Sequence, residues 1–259
     1  MIRALAIAAG TVALPSQLAH ATRSVAATSA EAAATLPGDE LVPGPAELTT
    51  LAVTVDAPGE AVWPWLVQIG KGRGGMYSYD WLENLIGLDI HSTDEIREQW
   101  QHLAPGDRIV VVPQGFGPMP DGYSFPVAQV LPGRALVLRQ APPGHPWNSV
   151  WSFHVVPDGP GRCRLISRSC TQRPQQRGVR VATRVMEPVT LVMTRRMLRG
   201  IKERAERRVA SGAPVPAGAA LRWRRAAAGG SPAGSRRTTA AGRCRSPIRS
   251  SRRRPPRAR

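Results

Sequence analysis

The sequence predicts an α+β domain: a curved antiparallel β-sheet, two short helices after its first strand, and a long C-terminal α-helix. Three features of the sequence carry this. Apolar residues alternate over several short segments, as strands with one buried face require. Turn-forming Pro and Gly separate those segments. The last regular segment instead repeats its apolar residues every four positions, which is helical.

The elements follow in order. In Leu48–Asp56 the residues Leu51, Val53 and Val55 share one face, so this is a strand, broken by Ala57-Pro58-Gly59. Glu60–Ile69 has helical spacing, with Val62, Trp65, Leu66 and Ile69 on one face and Pro64 in a tolerated early position. Tyr79–Ile86 is a second short helix. Arg108–Val112, Pro126–Leu131 and Ala135–Gln140 read as strands. Val150–Val156 and Arg162–Thr171 flank Asp158-Gly159-Pro160-Gly161, a hairpin signal. On the last strand Arg162, Arg164 and Arg168 share a face, which is expected to meet water. The final helix spans about Pro188–Val209, with Val189, Met193, Met197, Ile201 and Ala205 as its apolar stripe. Such an order leaves one apolar sheet face in need of a cover, and the last helix supplies it.

Charge separates this domain from its flanks. The 259 residues carry 35 Lys+Arg and 18 Asp+Glu, a net charge of +17. Residues 211–259 hold 13 Arg and no Lys, Asp or Glu, so the preceding part has 22 basic against 18 acidic residues. That stretch has too little apolar surface to offset its ordering entropy and reads as a disordered tail. Three readings of it stay open: a site for nucleic acid or an anionic membrane, a solvated extension, or the product of a shifted reading frame in GC-rich DNA. Residues 1–35 form a signal-like or Ala-rich segment and a linker over 22–35. The signal-like part allows export or membrane tethering, with a cytoplasmic chain as the alternative. The domain proper is expected over 36–210.

Several phrases resemble the SRPBCC superfamily, which includes START-like and polyketide-cyclase-like domains. They are Leu36-Pro37-Gly38-Asp39-Glu40-Leu41, Asp56-Ala57-Pro58 and Val62-Trp63-Pro64-Trp65-Leu66-Val67-Gln68. Further along come Tyr77-Ser78-Tyr79-Asp80-Trp81-Leu82-Glu83-Asn84, Ile90-His91-Ser92 and Met197-Leu198-Arg199-Gly200-Ile201-Lys202. The resemblance implies a helix-grip fold, a sheet wrapped around the C-terminal helix. It also implies a cavity between sheet and helix that receives small apolar molecules, with loops 113–125 and 141–148 near its mouth.

Candidate residues divide into two sets. Tyr77, Tyr79, Trp81, Trp151, Phe153, Met193 and Met197 are the aromatic and soft apolar side chains suited to line such a cavity, or else to fill a plain core. Asp80, Glu83 and His91 could form an acid/base set, or serve as caps and structural hydrogen-bonders. Gly70, Gly72 and Gly75 have the spacing G-x-G-x-x-G but lack the preceding strand that a dinucleotide site requires. No nucleophile elbow, H-E-x-x-H or C-x-x-C occurs, so no metal or cofactor is expected. Cys163 and Cys170 are seven apart on one strand and face opposite sides.

Three functions therefore compete. The first is binding of a small hydrophobic or amphipathic ligand. The second is a cyclase- or hydratase-like reaction using Asp80, Glu83 or His91. The third is an interaction protein tethered by its basic tail. The oligomeric state is not legible.

Overall fold

The computed structural model describes residues 26–116, 121–145, 147–175 and 177–213. The signal-like segment before residue 26 and the Arg-rich sequence from 214 lie outside these.

Six antiparallel strands form one sheet in the order β1-β6-β5-β4-β3-β2. They are β1 (Glu47–Val55), β2 (Arg108–Val112), β3 (Tyr123–Leu131), β4 (Ala135–Gln140), β5 (Ser149–Pro157) and β6 (Cys163–Thr171). The helices are α1 (Ser29–Ala33), α2 (Gly59–Val67), α3 (Asp80–Leu85) and α4 (Arg177–Ala210). All six expected strands and all three expected helices are present.

The pleat sorts each strand into two faces. Leu51, Val53, Val55, Leu136, Leu138, Phe153, Val155, Cys163 and Leu165 belong to the main core, beside Met197, Leu198, Ile201 and Ala205 of α4. A smaller cluster on the other face joins Val42, Val137, Val150 and Cys170. The two cysteines thus lie in different layers, and both are free thiols. Register shifts at Val110/Val112 and Val127/Gln129 interrupt the ladders of β3 with its two neighbours. Such irregularities bend a sheet and increase its twist.

Four expectations are corrected. Of the three arginines expected to meet water, Arg162, just before β6, is exposed, but Arg164 and Arg168 are covered. Arg168 is 1% exposed, and its guanidinium donates to the carbonyls of Glu31, Ala32 and Ala34 and to Asp39 Oδ2 at 2.7 Å. Arg164 binds both carboxylate oxygens of Glu31 at 2.7 Å. The described part of the expected linker is therefore ordered on the outer sheet face. It includes the single helical turn α1, closed by a capping box between Thr28 and Glu31.

β3 begins at Tyr123 rather than Pro126. Pro126 pairs with Arg108 of β2, the sheet's edge strand, and so sits near the sheet margin where proline is tolerated. The expected 113–125 loop is correspondingly shorter. Finally, α4 begins eleven residues before Pro188, at Arg177. Proline has no N–H to donate to the carbonyl of Arg184, but one missing bond does not end a 34-residue helix.

Candidate functional site

The C-terminal half of α4 seals its side of the sheet. Met197, Leu198, Ile201 and Ala205 are fully buried against β1, β6 and α2. The cavity expected beneath the helix is absent there, because side chains fill the space. Gly200 lets α4 come down onto the loop before α3, where the backbone of Tyr77 touches it.

Toward β3 and β5 the same concave face is less covered. There, rings from two strands stand in a row. Tyr123 and Phe125 meet edge to face at 5.2 Å between centroids, Phe125 and Trp151 are 5.2 Å apart, and Trp151 and Phe153 are 4.8 Å apart. Phe153 is buried, whereas Tyr123, Phe125 and Trp151 are half-buried and pack on the core from its rim. Half-burial of three adjacent rings leaves apolar area in water that a ligand could cover.

Polar groups punctuate this aromatic floor. The Tyr123 hydroxyl donates to Gln140 Oε1 at 2.7 Å, and Gln140, itself buried, donates to the carbonyl of Ser124 at 3.3 Å. The Trp151 indole N–H donates to Ser167 Oγ at 3.0 Å. His145 lies 6.2 Å from the Tyr123 ring and is held by the Trp147 carbonyl at 2.9 Å. Burial pushes the Tyr123 phenol above its usual range, so it stays a neutral donor.

The expected lining residues separate. Trp151, Phe153 and Met197 lie between sheet and helices, and Met193 is half-buried one turn before Met197. Tyr77 is buried away from the floor. Gln68 donates to its hydroxyl at 2.9 Å, the Trp65 ring meets it edge-on, and Arg204 covers its face at 4.8 Å. Tyr79 stands at the N-cap position of α3 without a capping bond from its side chain, and Trp81 is 68% exposed. Sequence reasoning missed Tyr123, Phe125 and Gln140. The alternation Tyr123, Phe125, Val127 was the available signal.

Of the acid/base set, Asp80 and Glu83 share the first turn of α3, where the Asp80 charge acts on Glu83, and His91 stands apart. Asp80 accepts from the Ser92 backbone N–H at 2.6 Å and from its hydroxyl at 2.7 Å, which ties α3 to the following loop. Ser78 donates to Glu83, a buried carboxyl whose pKa is raised by desolvation. His91 is exposed and contacts Asp89 at 3.1 Å, beside the Lys71–Asp89 ion pair. None of the three is among the residues of the aromatic floor.

The glycine motif is a closed turn. Gly70 and Gly75 exchange backbone hydrogen bonds at 2.9 and 3.0 Å, and helix α2 precedes them, not a strand. A β-carbon on Gly75 would overlap the backbone of His91 and Ser92. Among the described residues no cluster of His, Cys, Asp or Glu could hold a metal ion. The described residues also border two shallow surface hollows. One of about 670 Å³ lies by Trp65, Asp94, Arg204 and Arg207. The other, about 250 Å³, lies along β2 and β3 and shares Tyr123 with the floor.

A six-stranded antiparallel sheet curves over a long C-terminal helix, and two short helices follow its first strand. The chain is a helix-grip domain. No family model and no curated protein matches it. Solved structures similar to it include an aromatase/cyclase from a Streptomyces species, at 19% identity and a TM-score of 0.41, covering 65% of this chain and 99% of that one. A truncated norcoclaurine synthase from Thalictrum flavum has 16% identity and a TM-score of 0.38, covering 61% and 91%. A protein from Mesorhizobium loti has 17% identity and a TM-score of 0.34, covering 62% and 98%. The helix-grip assignment itself rests on this chain's own strand order and the seating of α4.

Proposed function

We propose that this helix-grip domain binds a small apolar or amphipathic molecule on the aromatic floor formed by Tyr123, Phe125 and Trp151. The observation that carries the reading is the half-burial of these three adjoining rings at the rim of the main core. Covering such rings stabilises a complex by about 25 cal/mol per Å² of apolar area. Gln140 and the Tyr123 hydroxyl are already bonded to each other, so they orient a polar group on the ligand rather than drive binding. A cyclase- or hydratase-like reaction has no support in the placement of Asp80, Glu83 and His91, and binding without chemistry is the better reading.

Titration with 1-anilinonaphthalene-8-sulfonate tests this. The expected result is saturable one-site fluorescence enhancement, weakened roughly tenfold by Phe125→Ala through lost apolar contact. No saturable enhancement, or equal affinity in the variant, would overturn the proposal.

A further inference from the structure

The outer face of α4 carries a second apolar surface, unrelated to the floor. Val181, Val185, Val189 and Val192 are between 47% and 66% exposed, and Met186 beside them is also exposed. At about 100° per residue the four valines fall within roughly 80° of arc. Met197, Leu198, Ile201 and Ala205, which hold the helix to the core, centre on about the opposite side. Residues 184–190 are exposed on every side of the helix, so this part of α4 leaves the valines open to a partner. Single exposed valines are ordinary, but four in one stripe are not.

Charge decides what this stripe fits. Residues 177–199 contain six arginines and a single acid, Glu187. Arg195, Arg196 and Arg199 continue toward the C-terminus along the side that the valines occupy, joined there by Glu203, 2.9 Å from Arg196, so the side keeps an excess of positive charge. A nucleic acid would engage the arginines and leave the valines in water. A second copy of the chain would bring two strongly basic faces together. An uncharged bilayer would gain nothing from the helix's excess of basic over acidic residues. An anionic bilayer accepts both kinds of side chain, valines at the acyl boundary and arginines at the phosphates.

We propose that the outer face of α4 docks on an anionic lipid surface, with Val181, Val185, Val189 and Val192 as the inserted stripe. Among the described residues no helix is long and apolar enough to cross a membrane, so the helix lies on the surface. The proposal does not depend on the ligand reading above.

The test is flotation of the full chain with phosphatidylcholine vesicles, with and without phosphatidylglycerol. The chain is expected to float with the anionic vesicles only. The double variant Val185→Ser, Val189→Ser is expected to lose roughly tenfold in partitioning, since about half of each side chain is at stake. Val185→Trp, which enlarges the stripe, is expected to tighten binding severalfold. Three outcomes would overturn the proposal. One is binding that neither valine variant changes, which would assign the effect to the Arg-rich sequence after residue 211. Another is equal binding to phosphatidylcholine alone, or none to either vesicle. The last is displacement from the vesicles by duplex DNA that the valine variants bind as tightly as the parent chain does.

Discussion

Gly200 of α4 packs so closely on Tyr77 that a β-carbon at Gly200 would overlap the Tyr77 carbonyl oxygen. Tyr77 in turn has a left-handed backbone, φ 55°, and a fully buried ring. This contact sets how deep the long helix sits, and therefore how completely its C-terminal half closes the sheet. Helix propensity alone would favour Gly200→Ala by about 1 kcal/mol. The overlap reverses the sign: the variant is expected to lose roughly 3 kcal/mol, measured as a lower urea midpoint at unchanged slope. A stabilised Gly200→Ala protein would show that α4 does not grip Tyr77 in this way.

His154 of β5 links stability to acid. It is buried on the outer face, 2.9 Å from Ser152 Oγ, and burial depresses its pKa from 6.5 to about 4. Its neutral form is the folded form. The unfolded chain takes up the proton first as pH falls, so stability is full above about pH 6.5 and declines toward pH 4. The loss amounts to roughly 3 kcal/mol across that window. Urea denaturation of His154→Gln is expected to show a flatter stability profile between those limits.

Arg168 makes the N-terminal segment part of the fold. Its fork closes the carbonyl end of α1 and pairs with Asp39 where neither is well exposed. Lysine presents one ammonium and cannot reproduce several divergent bonds. Arg168→Lys is expected to cost roughly 2–4 kcal/mol, and hydrogen exchange at residues 29–41 is expected to accelerate most.

Glu83 offers a way to separate chemistry from structure. Its pKa is raised from 4.5 by desolvation, which outweighs the hydrogen bond from Ser78, so its folded-state preference for the proton weakens the fold as pH rises above 4.5. Glu83→Gln is expected to keep ligand binding and to be at least as stable at pH 8 as the parent chain. A loss of binding without loss of stability would assign Glu83 to the site.

Most of the fold was legible in the sequence, because alternation and four-residue spacing report which faces are buried. The hairpin at Asp158–Gly161 and the strand β4 stand where the pattern puts them. The arginines of β6 were misread because a charged face looks solvated until the segment that covers it is known, and α1 lies more than 130 residues earlier in the chain. The α4 stripe was only half right. Positions four apart drift about 40° per step around a helix, so Val189 is already well off the face that Ile201 buries. The site was less legible than the fold. Tyr77 and Trp81 lie within a few residues of each other, yet one is buried at a helix crossing and the other exposed. Which aromatic residues border open space depends on how α4 is seated, and local spacing does not encode that.

The central claim is that a ligand covers the aromatic floor. The chain has seven tryptophans, each with an indole N–H resonance that reports its own surroundings. Titration with 1-anilinonaphthalene-8-sulfonate, followed at these resonances, tests the claim most directly. The Trp151 signal, hydrogen-bonded to Ser167, is expected to shift saturably while that of Trp81 stays in place. A saturable shift at Trp81 with Trp151 unmoved would contradict the account.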